Sequence, residues 1–156
     1  DGWTIAVTGG GIVTPSVVDA GDAATSGSVS FALPGTSTTS VRQCVAATPG
    51  DIALGEARSR SDGVDAAGLR MLVTLRAYGD AQCAGTALGA GSSAEIASGT
   101  AGAWRRLAPA ALALPSGSVA VAIELRAETT GSPRTLRFDD AALVIAADAL
   151  FANGLE

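Results

Sequence analysis

The sequence predicts an all-β sandwich or barrel, on three grounds. Several segments alternate apolar with polar or small residues at a period of two, most clearly in residues 69–78 and 119–126, which places one set of side chains on a buried face. Clusters of Gly, Pro, Ser and Thr separate these segments at regular intervals, as is typical of sandwiches and barrels. The 156 residues suit one domain, and 47% hydrophobic against 16% charged residues exclude a disordered chain.

Six shorter segments repeat the alternation and are also predicted to be strands: 3–7, 28–33, 41–46, 52–58, 104–108 and 136–145. Residues 89–93 are assigned to the clusters between strands, together with 8–11, 34–39, 48–50, 61–68, 115–117 and 129–133. The Ala-rich segment 108–113 has helix propensity, but Pro109 and Pro115 leave room for one helical turn at most. Residues 21–27 are small and polar enough for a mobile loop, and we see no internal repeat or second domain.

The two cysteines, Cys44 and Cys83, predict a disulfide in an oxidising compartment. Closing a loop of this size stabilises the fold by roughly 4 kcal/mol in the chain-entropy model. The alternative is two separate buried thiols. The absence of a CxxC pattern argues against a redox or zinc role for the cysteines. The chain begins at Asp1 rather than Met, so we expect a processed, secreted protein or a segment of a longer one.

Composition excludes most enzyme mechanisms. The chain has no His, and all ten basic residues are Arg; a Ser-His-Asp triad, a His-ligated zinc and a Schiff-base lysine are therefore absent. The net charge of −5 argues against nucleic acid as a partner, and no apolar run is long enough to span a bilayer. We expect a non-enzymatic protein.

The carboxylates show no pairing that would indicate glycoside hydrolysis. Glu56, Glu95, Glu124 and Glu128 are scattered along the sequence. Glu124 and Glu128 share strand parity with Arg126, which predicts a solvated, charged sheet face.

Four motifs in order resemble secreted bacterial jelly-roll domains of the carbohydrate-binding-module type, which are often found beside glycoside hydrolases. They are VRQCVAATPGDIALGEARSR, GDAQCAGTALG, AWRRLAPAALALPSGSVAVAIELRAE and LRFDDAALVIA. The resemblance as a whole covers about residues 27–145. In such domains a Gln-Cys-Val strand precedes a Pro-Gly turn, a lone Trp starts a strand, and a Phe-Asp-Asp strand closes the sandwich. The resemblance implies a single jelly-roll β-sandwich over residues 1–156, although a shared fold does not by itself give function.

The two ends of the chain depart from this pattern in a complementary way. The resembled domains begin with an Asn-Gly-aromatic-Glu element before Gly-Trp, whereas this chain begins DGW and ends FANGLE. We therefore expect the C-terminal segment 147–156 to dock on a neighbouring copy, which builds a filament because such a contact does not close on itself. The contact residues would be Trp3, Leu150, Phe151, Asn153 and Leu155. Separate subunits, units of a tandem array, and a tail folded on its own domain stay open as alternatives.

The resemblance also implies a structural calcium ion held by Asp139 or Asp140 together with Glu156, since Ca²⁺ prefers carboxylate oxygens. One of the two adjacent aspartates should point inward, where an unpaired carboxylate is costly. The alternative is an exposed or salt-bridged pair, for which Arg137 is a candidate partner.

Few aromatic residues are available to stack on a sugar. Trp3 and Trp104 are expected in the core, the first by its parity with Ile5 and the second by its match to the core Trp of the resembled domains. Tyr78 and Phe151 are left as exposed aromatic residues. The candidate sugar-binding residues are Tyr78 and, as the alternative to its place in the core, Trp3. A sugar platform needs flat apolar rings flanked by polar groups, and only 4% of the residues are aromatic.

The low charge and the absence of lysines to guard sheet edges favour a domain that is packed against partners. Our leading hypothesis is a non-enzymatic extracellular structural subunit that self-associates head-to-tail, as a filament, sheath or surface-layer building block. The alternative is a carbohydrate-binding module that anchors to polysaccharide.

Overall fold

The computed structural model describes residues 3–8, 10–21, 28–63, 68–97 and 99–147. All regular structure in this part of the chain is β-strand, and eleven strands are described. They are β1 (Trp3–Thr8), β2 (Ile12–Ser16), β3 (Ser28–Leu33), β4 (Ser37–Ala46), β5 (Ile52–Ser61), β6 (Leu69–Tyr78), β7 (Gly89–Ser92), β8 (Arg105–Arg106), β9 (Ala110–Ala113), β10 (Ala120–Thr129) and β11 (Arg134–Ala146). No helix in the described residues could cross a membrane.

The strands form two antiparallel sheets. The five-stranded sheet has the order β1-β4-β10-β6-β7, and the six-stranded sheet has the order β2-β3-β11-β5-β8, with β9 also paired to β5. Chain neighbours are mostly separated in space, so each sheet is assembled from distant parts of the sequence. The predicted all-β sandwich is confirmed.

The core lies between the inner faces of the two sheets. In the five-stranded sheet, β10 is paired on both sides, with Leu125 in register with Val41 of β4 and Val73 of β6. The six-stranded sheet contributes Phe31 and Phe138, whose ring centroids are 5.2 Å apart. All five side chains are buried, and each aromatic ring removes a large apolar area from water, which is the main favourable term in folding.

Two segments assigned to turns or a helical turn are strands instead. Residues 110–113 form β9, because pairing with β5 (Gly55 with Ala110, Ile52 with Ala113) supplies hydrogen bonds that outweigh the helix propensity of alanine. Residues 89–92 form β7, at the edge of the five-stranded sheet beside β6. The strand β2 was not anticipated either, and the strand predicted at 104–108 is reduced to β8.

The predicted disulfide between Cys44 and Cys83 is confirmed. It joins β4 to the loop that follows β6, residues 79–88, hereafter the tethered loop. Cys83 packs in a small cluster with Tyr78, Ala120 and Ala122. Asp80 Oδ1 accepts the backbone N–H groups of Gln82 and Ala84, at 2.9 and 3.1 Å. The loop is therefore fixed over one end of the outer face of the five-stranded sheet.

Candidate functional site

A groove lies on the outer face of the five-stranded sheet, next to the tethered loop. We call it the sheet-face groove; it encloses about 420 Å³ and is lined by Ser40, Arg42, Arg76, Tyr78, Gly85, Thr86, Ala87 and Glu124. Strands β4, β10 and β6 supply its floor and the tethered loop supplies one wall. Each of these three strands is paired on both sides, so the side chains of the floor project from a rigid support.

Charged side chains cross the floor of the groove in one row. Glu124 of β10 lies in register with Arg42 of β4 on one side and Thr74 of β6 on the other. Its Oε2 accepts a hydrogen bond from Arg76 Nε at 3.3 Å, and only 16% of the Glu124 side chain is exposed. Arg42 forms no ion pair or side-chain hydrogen bond with the part of the chain that the structure describes, and it is half-buried.

The charged row continues along the same face beyond the groove. Arg70 donates to Glu95 at 2.6 Å and to Glu128 at 3.3 Å. Its hydrogen bond to Glu95, together with the charges of both glutamates, raises the pKa of Arg70. Arg126 lies 2.5 Å from Glu128. The solvated charged face predicted from Glu124, Arg126 and Glu128 is therefore the outer face of the five-stranded sheet.

The expectation that the Tyr78 ring is exposed is wrong. Only 4% of the residue is exposed, because the tethered loop packs Cys83 and Ala87 against it. A ring covered in this way offers no free face for stacking on a sugar. Tyr78 contributes only a small exposed part to the wall of the sheet-face groove.

A second cavity opens between the two sheets at the edge formed by β1 and β2. We call it the edge cleft; it encloses about 470 Å³ and is lined by Trp3, Ile5, Val13, Thr14, Pro15, Ser28, Val29, Val41, Leu125, Phe138, Asp139, Asp140 and Ala141. Its floor therefore consists of core side chains.

The core assignment of Trp3 is wrong, since the residue is 39% exposed and its strand neighbour Ile5 is 55% exposed. Both side chains have the inward parity, but the edge strand β2 does not cover them, so they line the mouth of the edge cleft. Trp104 is only partly buried, and its indole N–H is shielded from solvent without a hydrogen-bond partner in the described residues.

The two aspartates of β11 have different surroundings. Asp139 is 8% exposed; one of its oxygens accepts the N–H of Ala20 at 2.7 Å, and the other accepts the N–H of Asp140 at 2.8 Å. The buried aspartate of the pair is thus Asp139, and two backbone N–H groups donate to its carboxylate. Asp140 sits at a β-bulge with φ of 48°, and its carboxylate lies 3.2 Å from Arg58.

Arg137, the expected partner of these aspartates, donates instead to Asp62 and Ser16. Within the described ranges no three His, Cys, Asp or Glu side chains cluster as a metal site would require. Glu156 lies outside the described residues, so the calcium site stays a prediction. The tail residues expected at the contact between copies, Leu150, Phe151, Asn153 and Leu155, also lie outside them.

Sequence reasoning missed Arg42 and Arg76. The alternating pattern places both on polar positions of their strands, but it does not reveal which strands are neighbours. Glu124, the glutamate between them, lies on β10, 48 residues after Arg76 in the sequence. Only the pairing of β4 and β6 with β10 brings the three residues together.

Comparison with known proteins finds similarity in structure but not in sequence families. No protein-family profile matches the chain, and no curated protein sequence does. Among solved structures, the enzymatically active domain of tailspike protein 4 from bacteriophage CBA120 is similar with a TM-score of 0.69 and 16% identity, over 92% of this chain and 19% of that one. A carbohydrate-binding module of the β-sandwich superfamily is similar with a TM-score of 0.61 and 14% identity, over 92% of this chain and 57% of that one.

A third structure, the module TmCBM61 in complex with β-1,4-galactotriose, matches with a TM-score of 0.58 and 14% identity, over 91% of this chain and 87% of that one. The chain thus spans about a fifth of the tailspike chain and 57% of the second, but most of the third. At these identities the likeness concerns the fold alone. The chain has the jelly-roll β-sandwich fold of carbohydrate-binding modules.

Proposed function

We propose that the chain is a non-catalytic, extracellular carbohydrate-binding module that binds polysaccharide through the sheet-face groove. The observation that carries this proposal is the row of hydrogen-bonding side chains, Arg42, Glu124 and Arg76, in a groove of about 420 Å³. Sugar hydroxyls both donate and accept, so a guanidinium next to a carboxylate matches them on both counts. The disulfide accords with an oxidising, extracellular location.

The groove supports binding because its geometry is set before a ligand arrives. Its floor belongs to three strands paired on both sides, and its wall is held by the Cys44–Cys83 disulfide. Little conformational entropy is then lost on binding. Since the ring of Tyr78 is covered, we expect polar contacts rather than stacking to dominate, and therefore weak binding to each repeat of a polysaccharide.

Replacement of Glu124 tests the groove. Glu124→Gln keeps the shape of the side chain but removes the charge that holds Arg76 and accepts sugar hydroxyls. We expect about tenfold weaker binding in affinity electrophoresis against a panel of plant and bacterial polysaccharides, since a hydrogen bond to a charged group contributes about 1.5–3 kcal/mol.

The matched control is Glu56→Gln, which removes a carboxylate paired with Arg106 on the six-stranded sheet. Binding of the control should equal that of the unmodified chain. Failure of the unmodified chain to be retarded by any polysaccharide on the panel would contradict the proposal, as would equal losses in the two variants.

A second candidate function is head-to-tail self-association, and the edge cleft favours it. Val41, Leu125 and Phe138 belong to the core, yet they line a cavity that is open between β1 and β2. An exposed apolar cleft of this kind is typical of an interaction site. The occupant that we propose is the C-terminal segment 147–156 of a second copy, which carries Leu150, Phe151 and Leu155. Repetition of the contact produces a filament, sheath or surface layer.

A further inference from the structure

We propose that the sheet-face groove binds an acidic polysaccharide, one whose sugars carry a uronic-acid carboxylate, and that Arg42 is the residue that binds this carboxylate. This inference rests on the proposed function and specifies its ligand class. It arises from a difference among the arginines that share the outer face of the five-stranded sheet.

Three of those arginines already have carboxylate partners. Arg76 is bound to Glu124, Arg126 to Glu128, and Arg70 to Glu95 and Glu128. Arg42 is the exception: within the described part of the chain it has neither an ion pair nor a side-chain hydrogen bond. The neighbouring Glu124 does not neutralise it, because that carboxylate is held by Arg76.

The position of Arg42 suits a ligand contact. Its strand, β4, is paired on both sides, with Thr4 of β1 and Glu124 of β10 flanking Arg42 in register. The backbone is therefore fixed, and the side chain is half-buried in the groove floor rather than free in solvent. Ser40, also on the outer face of β4, and Thr86 of the tethered loop place hydroxyl groups in the same groove.

A carboxylate is the group that best matches this arginine. A guanidinium presents its N–H donors in a planar fork that binds both oxygens of a carboxylate, and such charge-assisted bonds are about twice as strong as neutral ones. A neutral sugar would leave the charge of Arg42 unmatched in a partly desolvated groove.

The net charge of the chain does not favour an acidic ligand, so the preference for one has to come from contacts within the groove. The chain has a net charge of −5, so long-range attraction does not draw polyanions to it. Glu95, Glu124 and Glu128 on the same face repel ligands of high charge density. The ligand should therefore have a low charge density and still carry a carboxylate. A chain of sugars with spaced carboxylates and free hydroxyls fits, since the hydroxyls donate to Glu124 while a carboxylate reaches Arg42.

The experiment compares polygalacturonate with highly methyl-esterified pectin, which shares its backbone but lacks most of its free carboxylates. Affinity electrophoresis or calorimetry on the full chain should show at least about tenfold tighter binding to polygalacturonate, weakened by added salt. Arg42→Ala should remove this preference, and Arg42→Lys should restore only part of it, because an ammonium cannot form the bidentate contact.

The matched control is Arg105→Ala, which removes an exposed arginine of β8, on the other sheet, that likewise has no ion pair among the described residues. Its binding should be unchanged. Thermal unfolding identifies folded variants, and Arg42→Gln replaces Arg42→Ala if the latter does not fold.

The outcomes separate the two proposals. Equal binding of the two pectins, or an Arg42→Ala variant that retains the preference, overturns the uronate assignment but leaves polysaccharide binding intact. Tighter binding of dextran sulfate than of polygalacturonate overturns it as well, in favour of a sulfate ligand. Absence of binding to either pectin overturns the uronate assignment. Absence of binding to neutral galactan, to dextran sulfate and to every other polysaccharide on the panel as well overturns both proposals.

Discussion

Gly91 occupies a point where β7 of one sheet approaches β9 of the other. A Cβ atom at this position would lie 2.1 Å from the carbonyl oxygen of Ala111, which is backbone and cannot rotate away. We predict that Gly91→Ala destabilises the fold by about 1–3 kcal/mol through overpacking, lowering Tm by roughly 2–10 °C. Thermal unfolding followed by circular dichroism measures this shift.

Gly79→Ala is the matched control for this substitution. Its added Cβ would lie 3.5 Å from the nearest atom, the carbonyl oxygen of Gly117, which is an ordinary contact. An unchanged Tm in Gly91→Ala, or an equal loss in both variants, would show that the approach of the two strands does not require a glycine.

At the residue scale, side-chain parity is predictable from sequence but burial is not. Trp3 has the inward parity predicted for it and is still 39% exposed, whereas Tyr78 has the outward parity and is 4% exposed. In each case a third element decides: β2 does not cover Trp3, and the tethered loop covers Tyr78. Alternation within one strand carries no information about such a neighbour.

At the scale of strands and loops, long alternating segments such as β6 and β10 are readily predicted because their pattern repeats over ten residues each. Short strands of small residues are not. β7 has the sequence GAGS and β9 has AALA, and both are strands because they exchange backbone hydrogen bonds with a neighbouring strand. The sheet-face groove could not be predicted for the same reason, since the residues of its floor come together only through strand pairing.

The tethered loop should link the stability of the fold to the proposed polysaccharide binding. We predict that Cys44→Ala together with Cys83→Ala costs about 4 kcal/mol of unfolding free energy in the chain-entropy model and also weakens polysaccharide binding, because the loop forms one wall of the sheet-face groove. Denaturant unfolding and affinity electrophoresis measure the two effects separately.

The unmodified chain under reducing conditions is the control for the double alanine variant, and the two should behave alike. Unchanged binding together with reduced stability would contradict the prediction. It would mean that the tethered loop stabilises the fold but does not contact the ligand.

At the scale of the whole molecule, the sandwich has two unlike surfaces. The outer face of the five-stranded sheet is polar and carries paired charges, with Arg42 as the exception, which suits a hydrated sugar chain. The edge cleft is apolar and reaches the core, which suits a segment with hydrophobic side chains. Because the two surfaces are separate, the two proposed functions do not exclude each other, and we expect substitutions in one surface to leave the function of the other unchanged.

Deletion of residues 151–156 tests self-association at this scale. The deletion removes Phe151 and Leu155, the apolar side chains proposed to fill the edge cleft of a second copy, so we predict a folded monomer in analytical ultracentrifugation where the unmodified chain forms higher oligomers. Ile5→Asp, which places a charge at the mouth of the cleft, should act likewise, while Arg42→Ala should leave assembly intact. Assembly of the truncated chain, or a monomeric unmodified chain at high concentration with and without calcium, would contradict head-to-tail docking and leave a solitary binding module.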